Sequence, residues 1–201
     1  MARQTLVIAS GNRGKLAEFE QMLDPRGFEL RAQADYGVAP PPETGRTFVE
    51  NALIKARAAA DAAGRAALGD DSGLVVDALE GRPGIYSSRF AGDDADDAAN
   101  IDKLLRKLDG MPTERRGAFF YCCLVLLSHA DDPAPLIATG RWHGYILDAP
   151  RGDGGFGYDP VFYDAERGVT AAEMPAGEKN RVSHRGRALD GLMNSIDEQK
   201  V

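Results

Sequence analysis

Apolar positions along this chain change period several times, and each change marks an element. Residues 5–9 form an unbroken apolar run rich in β-branched side chains, which predicts a buried strand, and Leu16, Phe19 and Leu23 then recur at helical spacing. Residues 28–32 read as a second short strand, and the Pro-rich stretch 34–45 as a loop. Thr47 and Glu50 have the spacing of a capping box, so a helix with an alanine-rich body is expected from there to about Gly64. Short apolar stretches at 66–68 and 74–76 flank Gly-Asp-Asp-Ser-Gly, which places two acidic residues between strands. Ile101, Leu104, Leu105 and Leu108 form the apolar face of a helix over about 96–108, with Asp93 or Asp94 as its cap. Residues 117–127 are almost continuously apolar, the pattern of a central strand covered on both faces. Residues 136–147 read as a strand pair, or as one long strand interrupted near Gly140 and Gly144. Residues 149–160 are too rich in glycine for regular structure. A short strand at 161–163, a small helix near 170–174 and a last helix from the cap Ser183 to about Glu198 complete the pattern. Helices separate the strands in the first half and strands adjoin in the middle, which predicts an α/β fold with a mixed sheet. No composition break marks a linker, so residues 1–201 are expected to form a single domain.

Composition narrows the partners. With 201 residues, 43% of them apolar, the chain can build a substantial core. A formal net charge of −7 argues against polymeric nucleic acid or an anionic membrane as partner, because both require a basic field. No stretch reaches the length of a membrane span and the N-terminal stretch lacks the apolar core of a signal peptide, so a cytoplasmic protein is expected. Cys122 and Cys123 are neighbours in a predicted strand and should point to opposite faces, as buried free thiols rather than a disulfide or metal cluster.

Chemistry concentrates in three stretches. The loop Ser10, Gly11, Asn12, Arg13, Gly14 and Lys15 joins a strand to a helix start; its glycines should let N–H groups of Asn12 and Arg13 point outward, and the helix N-terminus and the two basic side chains favour an anion. It fits neither the Walker A spacing nor G-x-G-x-x-G. Asp70 and Asp71 are candidates for Mg²⁺ ligation through one carboxylate and activation of a water through the other. Glu43 and Glu50 can add carboxylates: Glu50 has a structural role in its capping box, whereas Glu43 has none that the sequence shows. Lys55 reads equally well as a solvated helical lysine. Asp93, Asp94, Asp96 and Asp97 look like a solvated helix start and are assigned no chemistry. In Gly-Gly-Phe-Gly-Tyr-Asp-Pro, Phe156 and Tyr158 offer aromatic faces to a flat ligand and Asp159 can accept hydrogen bonds. Lys179, His184 and Arg185 are expected to gather three donors near one helix end.

Taken in order, SGNRGK, ENALIKA, DDSGL, PGIYSSRFAG, GGFGYDP and EKNRVSHRGRA resemble the inosine/xanthosine triphosphate pyrophosphatases from about residue 5 to the final helix. The resemblance implies an elongated α/β fold with two lobes around a central nucleotide-binding cleft, a homodimer, and Mg²⁺-dependent hydrolysis of non-standard purine nucleoside triphosphates (ITP, dITP, XTP) to monophosphate and pyrophosphate. It implies that residues Ser10 to Lys15 form the triphosphate loop, that Asp71 is general base and metal ligand, that Glu43 is a second metal ligand and that Ser72 contacts substrate. Phe156, Gly157, Tyr158, Asp159, Lys179, His184 and Arg185 match nucleoside-binding positions. Selection of a 6-oxopurine is expected from donors facing that oxygen, supplied by Arg185 or by backbone N–H groups near His184. A nucleotide sensor without hydrolysis, and a phosphatase releasing orthophosphate, are the alternatives.

Overall fold

The computed structural model describes residues 3–198. Its elements are β1 (Gln4–Ala9), α1 (Arg13–Leu23), β2 (Phe28–Ala32), α2 (Phe48–Ala63), β3 (Ala67–Val76), α3 (Asp97–Lys107), β4 (Gly117–Leu127), β5 (Leu136–Ile146), β6 (Phe162–Asp164), β7 (Val169–Thr170), α4 (Ala176–Val182) and α5 (His184–Glu198), with short 3-10 turns among them. The strands form a seven-stranded sheet in the order β2-β1-β3-β4-β5-β6-β7. β1 runs parallel to β2 and β3, whereas β5, β6 and β7 pair antiparallel, so the mixed α/β expectation holds.

Several local expectations change. Asp70 and Asp71 lie inside one ten-residue strand, β3, and not in a turn between two strands. Residues 136–146 form one strand. Gly144 does not interrupt it: a Cβ there would come within 2.4 Å of the Tyr163 carbonyl oxygen and 2.8 Å of the Phe162 ring, so the glycine lets β6 approach closely. α3 is capped by Asp96, whose side chain accepts from the Ala99 N–H, rather than by Asp93 or Asp94. The expected helix near 170–174 is a 3-10 turn, Ala171–Glu173, with a Thr170/Glu173 capping box. α4 was not anticipated, because its seven residues include only two apolar side chains and show no helical stripe.

The chain divides into two compact units, each assembled from separated segments, which is why no linker is visible in the sequence. The first comprises the described residues up to Asp71, Cys122–Gly140 and those from Arg185 onward. Alternation along β1 sends Leu6 and Ile8 into a core with Phe19 and Leu23 of α1 and Leu189 and Leu192 of α5, while Val7 and Ala9 meet Ala59 and Ala60 of α2. Each fully buried Leu, Ile or Phe of this kind contributes roughly 1.5–3 kcal/mol. Cys122 and Cys123 are buried and form no disulfide, and burial pushes the Cys123 thiol up to about 11.

The second unit comprises Ser72–Tyr121 and Arg141–His184. Phe120, Trp142 and Phe162 pack together in its core, tilted or edge-on to one another, with Leu104 and Leu108 of α3. The one indole N–H of this cluster is satisfied by Asp164 at 2.9 Å. Buried Arg116 donates to the carbonyls of Leu108, Ile146 and Leu147 and to the Asp148 carboxylate, fastening the chain between α3 and β4 to the end of β5.

Candidate active site

In the first unit, strand register brings the phosphate-type loop and the carboxylates to the same edge. Ala9 of β1 pairs with Gly69 of β3, so Ser10, just past the end of β1, follows beside Asp70 within β3. Asn12, in extended conformation, caps α1 by accepting the Lys15 N–H at 3.0 Å, and its own N–H donates to Ser10 Oγ at 3.1 Å. This differs from the expected outward-facing Asn12 amide. Gly14 lies inside the first turn of α1, and neither Gly11 nor Gly14 has a positive φ. The amides that lack an intrahelical acceptor by position are those of Arg13 and Gly14, beside the positive end of the helix.

Adjacent residues of a strand face opposite ways, and Asp70 and Asp71 follow that rule. Asp70 accepts from Lys15 Nζ at 3.1 Å and from Arg185 Nε at 2.9 Å, and Arg185 also pairs with Glu18 of α1. Asp71 accepts from Lys55 Nζ at 2.7 Å and from Asn51 Nδ2 at 3.3 Å. The two carboxylates therefore serve different partners, and the expectation that they work on one ion as a pair does not fit the geometry. Glu43 is the residue that joins Asp71: Lys55 Nζ also donates to it at 2.9 Å. Glu50 remains in its capping box, accepting from Thr47 Oγ1 and the Arg46 N–H, each at 2.8 Å.

Lys55 is thus no solvated lysine. α2 buries Asn51, Ala52, Lys55, Ala56, Ala59 and Ala60 along one face, polar in its first turns and alanine beyond. Gly69 allows this face to press on β3: a Cβ at Gly69 would meet the Ala52 carbonyl oxygen at 2.1 Å and the Ala56 nitrogen at 2.9 Å. Burial acts to push the Lys55 ammonium down, but Asp71 and then Glu43 outweigh it and hold the group above the ordinary lysine value. Burial pushes Asp71 above the ordinary aspartate value; Lys55 and Lys15 oppose the shift without cancelling it, and Glu43 adds repulsion. The ammonium moves upward because two carboxylates share it, and Asp71 because burial outweighs the ammonium's pull. Arg185, 1% exposed, stays charged despite burial because Asp70 and Glu18 flank it.

The second unit carries the aromatic cluster. Lys179 Nζ lies 5.0 Å from the centroid of the half-buried Phe156 ring and donates to Asp159 Oδ2 at 2.5 Å. The same carboxylate oxygen accepts the Phe156 N–H at 2.9 Å. A Cβ at Gly155 would come within 2.0 Å of it, so only glycine admits this turn. The His184 ring stacks on Phe120 with centroids 4.8 Å apart. Tyr158 is buried in the core and its hydroxyl donates to the Ser87 carbonyl at 2.8 Å, so Phe156 is the ring of the loop that is left partly open. Ser72 follows Asp71 in β3 and is half-buried.

Along the whole of this arrangement, a family model described as the Ham1 family matches residues 6–195. The chain belongs to the Ham1 family. A relative from Xanthomonas oryzae pv. oryzae named dITP/XTP pyrophosphatase is 56% identical over 95% of this chain and 96% of its own. One from Vibrio cholerae serotype O1 with the same name is 48% identical over 98% of both. The solved structure of a HAM1 protein from Coxiella burnetii superposes with a TM-score of 0.88 at 47% identity, covering 97% of this chain and 99% of that one. As a Ham1 protein the chain carries all six stretches quoted from its sequence, and the family expectation is met.

His184 and Arg185 are the first two residues of α5 and Lys179 lies in α4; the Arg185 guanidinium is engaged by two carboxylates. Sequence reasoning missed the engagement of Lys55, and it missed Asn51 and Glu18. The available signal for Asn51 and Lys55 was their i, i+4 spacing on the face that continues as buried alanines.

Proposed function

We propose that the chain hydrolyses non-standard purine nucleoside triphosphates of the dITP and XTP kind to the monophosphate and pyrophosphate, with Mg²⁺ as cofactor and as a homodimer. The observation that carries the chemistry is the convergence of Glu43 and Asp71 on a single cationic group. Two oxygen donors brought to one positive charge suit a hard divalent cation that completes its shell with phosphate and water. Such an ion supplies charge neutralisation on the phosphate oxygens.

Asp71 holds and deprotonates the water that attacks the α-phosphorus, and its upward-shifted carboxyl is a better proton acceptor than an ordinary aspartate. Lys15 and the first-turn amides of α1 stabilise charge on the departing pyrophosphate. Phe156 stacks on the purine, and the neighbouring Lys179 and Asp159 address its polar edge. The dimer rests on the family resemblance. The names of the relatives support the substrate class.

The test is product analysis with Mg²⁺ and ITP, XTP, ATP or GTP, scoring pyrophosphate apart from orthophosphate. Pyrophosphate and monophosphate from ITP and XTP, with little from ATP or GTP, is the expected result. Orthophosphate alone identifies a phosphatase, and binding without turnover identifies a sensor; either overturns the proposal.

A further inference from the structure

The loop around Phe156 contains Gly152, Gly154, Gly155 and Gly157, of which Gly152, Gly155 and Gly157 have positive φ. A chain this rich in glycine has a large conformational entropy and does not hold a ring in one place by itself. The two peptide groups flanking Phe156 are pinned from different sources. The Phe156 N–H donates to Asp159 Oδ2 within the loop. The Gly157 N–H donates at 2.6 Å to Oδ2 of Asp97, sixty positions away in the first turn of α3. One turn further along α3, buried Asn100 accepts the Ala91 N–H at 2.7 Å and donates to the Ser88 carbonyl at 3.1 Å. The neighbouring Ser87 carbonyl is the acceptor for the Tyr158 hydroxyl. The start of α3 therefore fastens the turn at 87–91 through Asn100 and the tip of the glycine loop through Asp97.

We infer that Asp97 is a positioning residue for nucleobase recognition, holding the Phe156 peptide from outside the loop. This rests on the reading of Phe156 as the base-stacking ring. Asp159 already serves Lys179 as well as Phe156, so a ligand that draws on Lys179 disturbs the inner pin, and the outer one keeps the ring in register. Asp97, Phe156 and Gly157 lie together in the second unit while Lys15 and Asp71 belong to the first, so the effect of Asp97 belongs to base binding and not to the chemical step.

The test compares Asp97→Ala and Asp97→Asn with the unaltered protein. Both variants keep the helix cap, which Asp96 supplies. Loss of this exposed bond should raise KM for XTP or dITP about 3- to 10-fold in Asp97→Ala, with kcat within about twofold. Asp97→Asn retains a carbonyl oxygen for the Gly157 N–H and should recover most of the loss. Inhibition by inorganic tripolyphosphate, which has no base, should be unchanged in both. A KM unaffected in Asp97→Ala, or tripolyphosphate inhibition weakened as much as nucleotide binding, overturns the inference. Phe156→Ala separates the two readings: if it raises KM while Asp97→Ala does not, only the positioning role fails, and if Phe156→Ala also leaves KM unchanged, the stacking role fails first.

Discussion

In the first unit Glu43, Asp71, Asp70 and Glu18 are set by two basic side chains, Lys55 and Arg185, each anchored on a helix and almost out of solvent. In the second unit Phe156 is set by its own backbone, through N–H groups donated to Asp159 and Asp97 and through glycines that permit the turn. The first arrangement ties function to stability, because removing one charge strands another in a buried place. The second separates them, because a half-exposed ring on a backbone-held loop contributes little to the core. A buried ion network is thus a rigid device for developing charge, and a pinned glycine loop is an adjustable one for a flat surface.

The largest expected effect breaks the charged side. Asp71→Asn removes the proton acceptor and should lower kcat for XTP by about 10²- to 10⁴-fold, measured by pyrophosphate release at saturating Mg²⁺. Near-normal turnover would remove Asp71 from the chemistry. Arg185→Ala leaves Asp70 and Glu18 without their shared partner and should cost about 3–5 kcal/mol, a fall in thermal midpoint of roughly 10 °C. A midpoint within a degree or two of the unaltered protein would mean that the pairing is not what holds α5 to α1 and β3.

Phe156→Ala sharpens the contrast from the other side. It should raise KM about tenfold, the scale of one base–aromatic stack, while shifting the midpoint by no more than about 2 °C. A large loss of stability would show that the ring belongs to the core after all. The smallest effect concerns pH. Burial alone would raise the Asp164 carboxyl, but hydrogen bonds from Trp142 and Arg167 outweigh it and hold the group below the ordinary aspartate range. Its stabilisation is therefore complete above the unfolded value of about 3.9 and is lost as pH falls through the lower folded value. Asp164→Asn should flatten the acid limb of midpoint against pH below about pH 4 and leave its shape near neutrality unchanged. An acid limb as steep as in the unaltered protein would assign that dependence to other carboxylates.

Much of the fold was legible because periodicity reports burial directly: β2 and β4 run over Phe28–Ala32 and Gly117–Leu127, the ranges that the apolar runs mark. α2 begins at its Thr47 cap and ends at Gly64, in the left-handed conformation expected of a terminating glycine. Asp-Asp-Ser-Gly misled because its composition is that of a turn, while β3 keeps these polar residues extended by giving their side chains charged partners from α1, α2 and α5. The candidate site was legible as stretches and illegible as pairings. Lys55 with Glu43 and Asp71, or Asp97 with Gly157, join positions whose neighbourhood exists only after folding. Asp97 in particular is hidden among Asp93, Asp94 and Asp96, and nothing in its local sequence separates an anchor from a solvated charge.

Gly69 carries a consequence larger than its size. Because α2 rests on the bare backbone at this position, the missing methyl group works as a shim gauge, fixing how deep the helix seats and so where the tip of a long lysine side chain, almost out of solvent, arrives. A single added carbon would lift the helix, and the ammonium would no longer meet two carboxylates at once. The calibration of a charged centre is thereby delegated to a residue that has no side chain of its own.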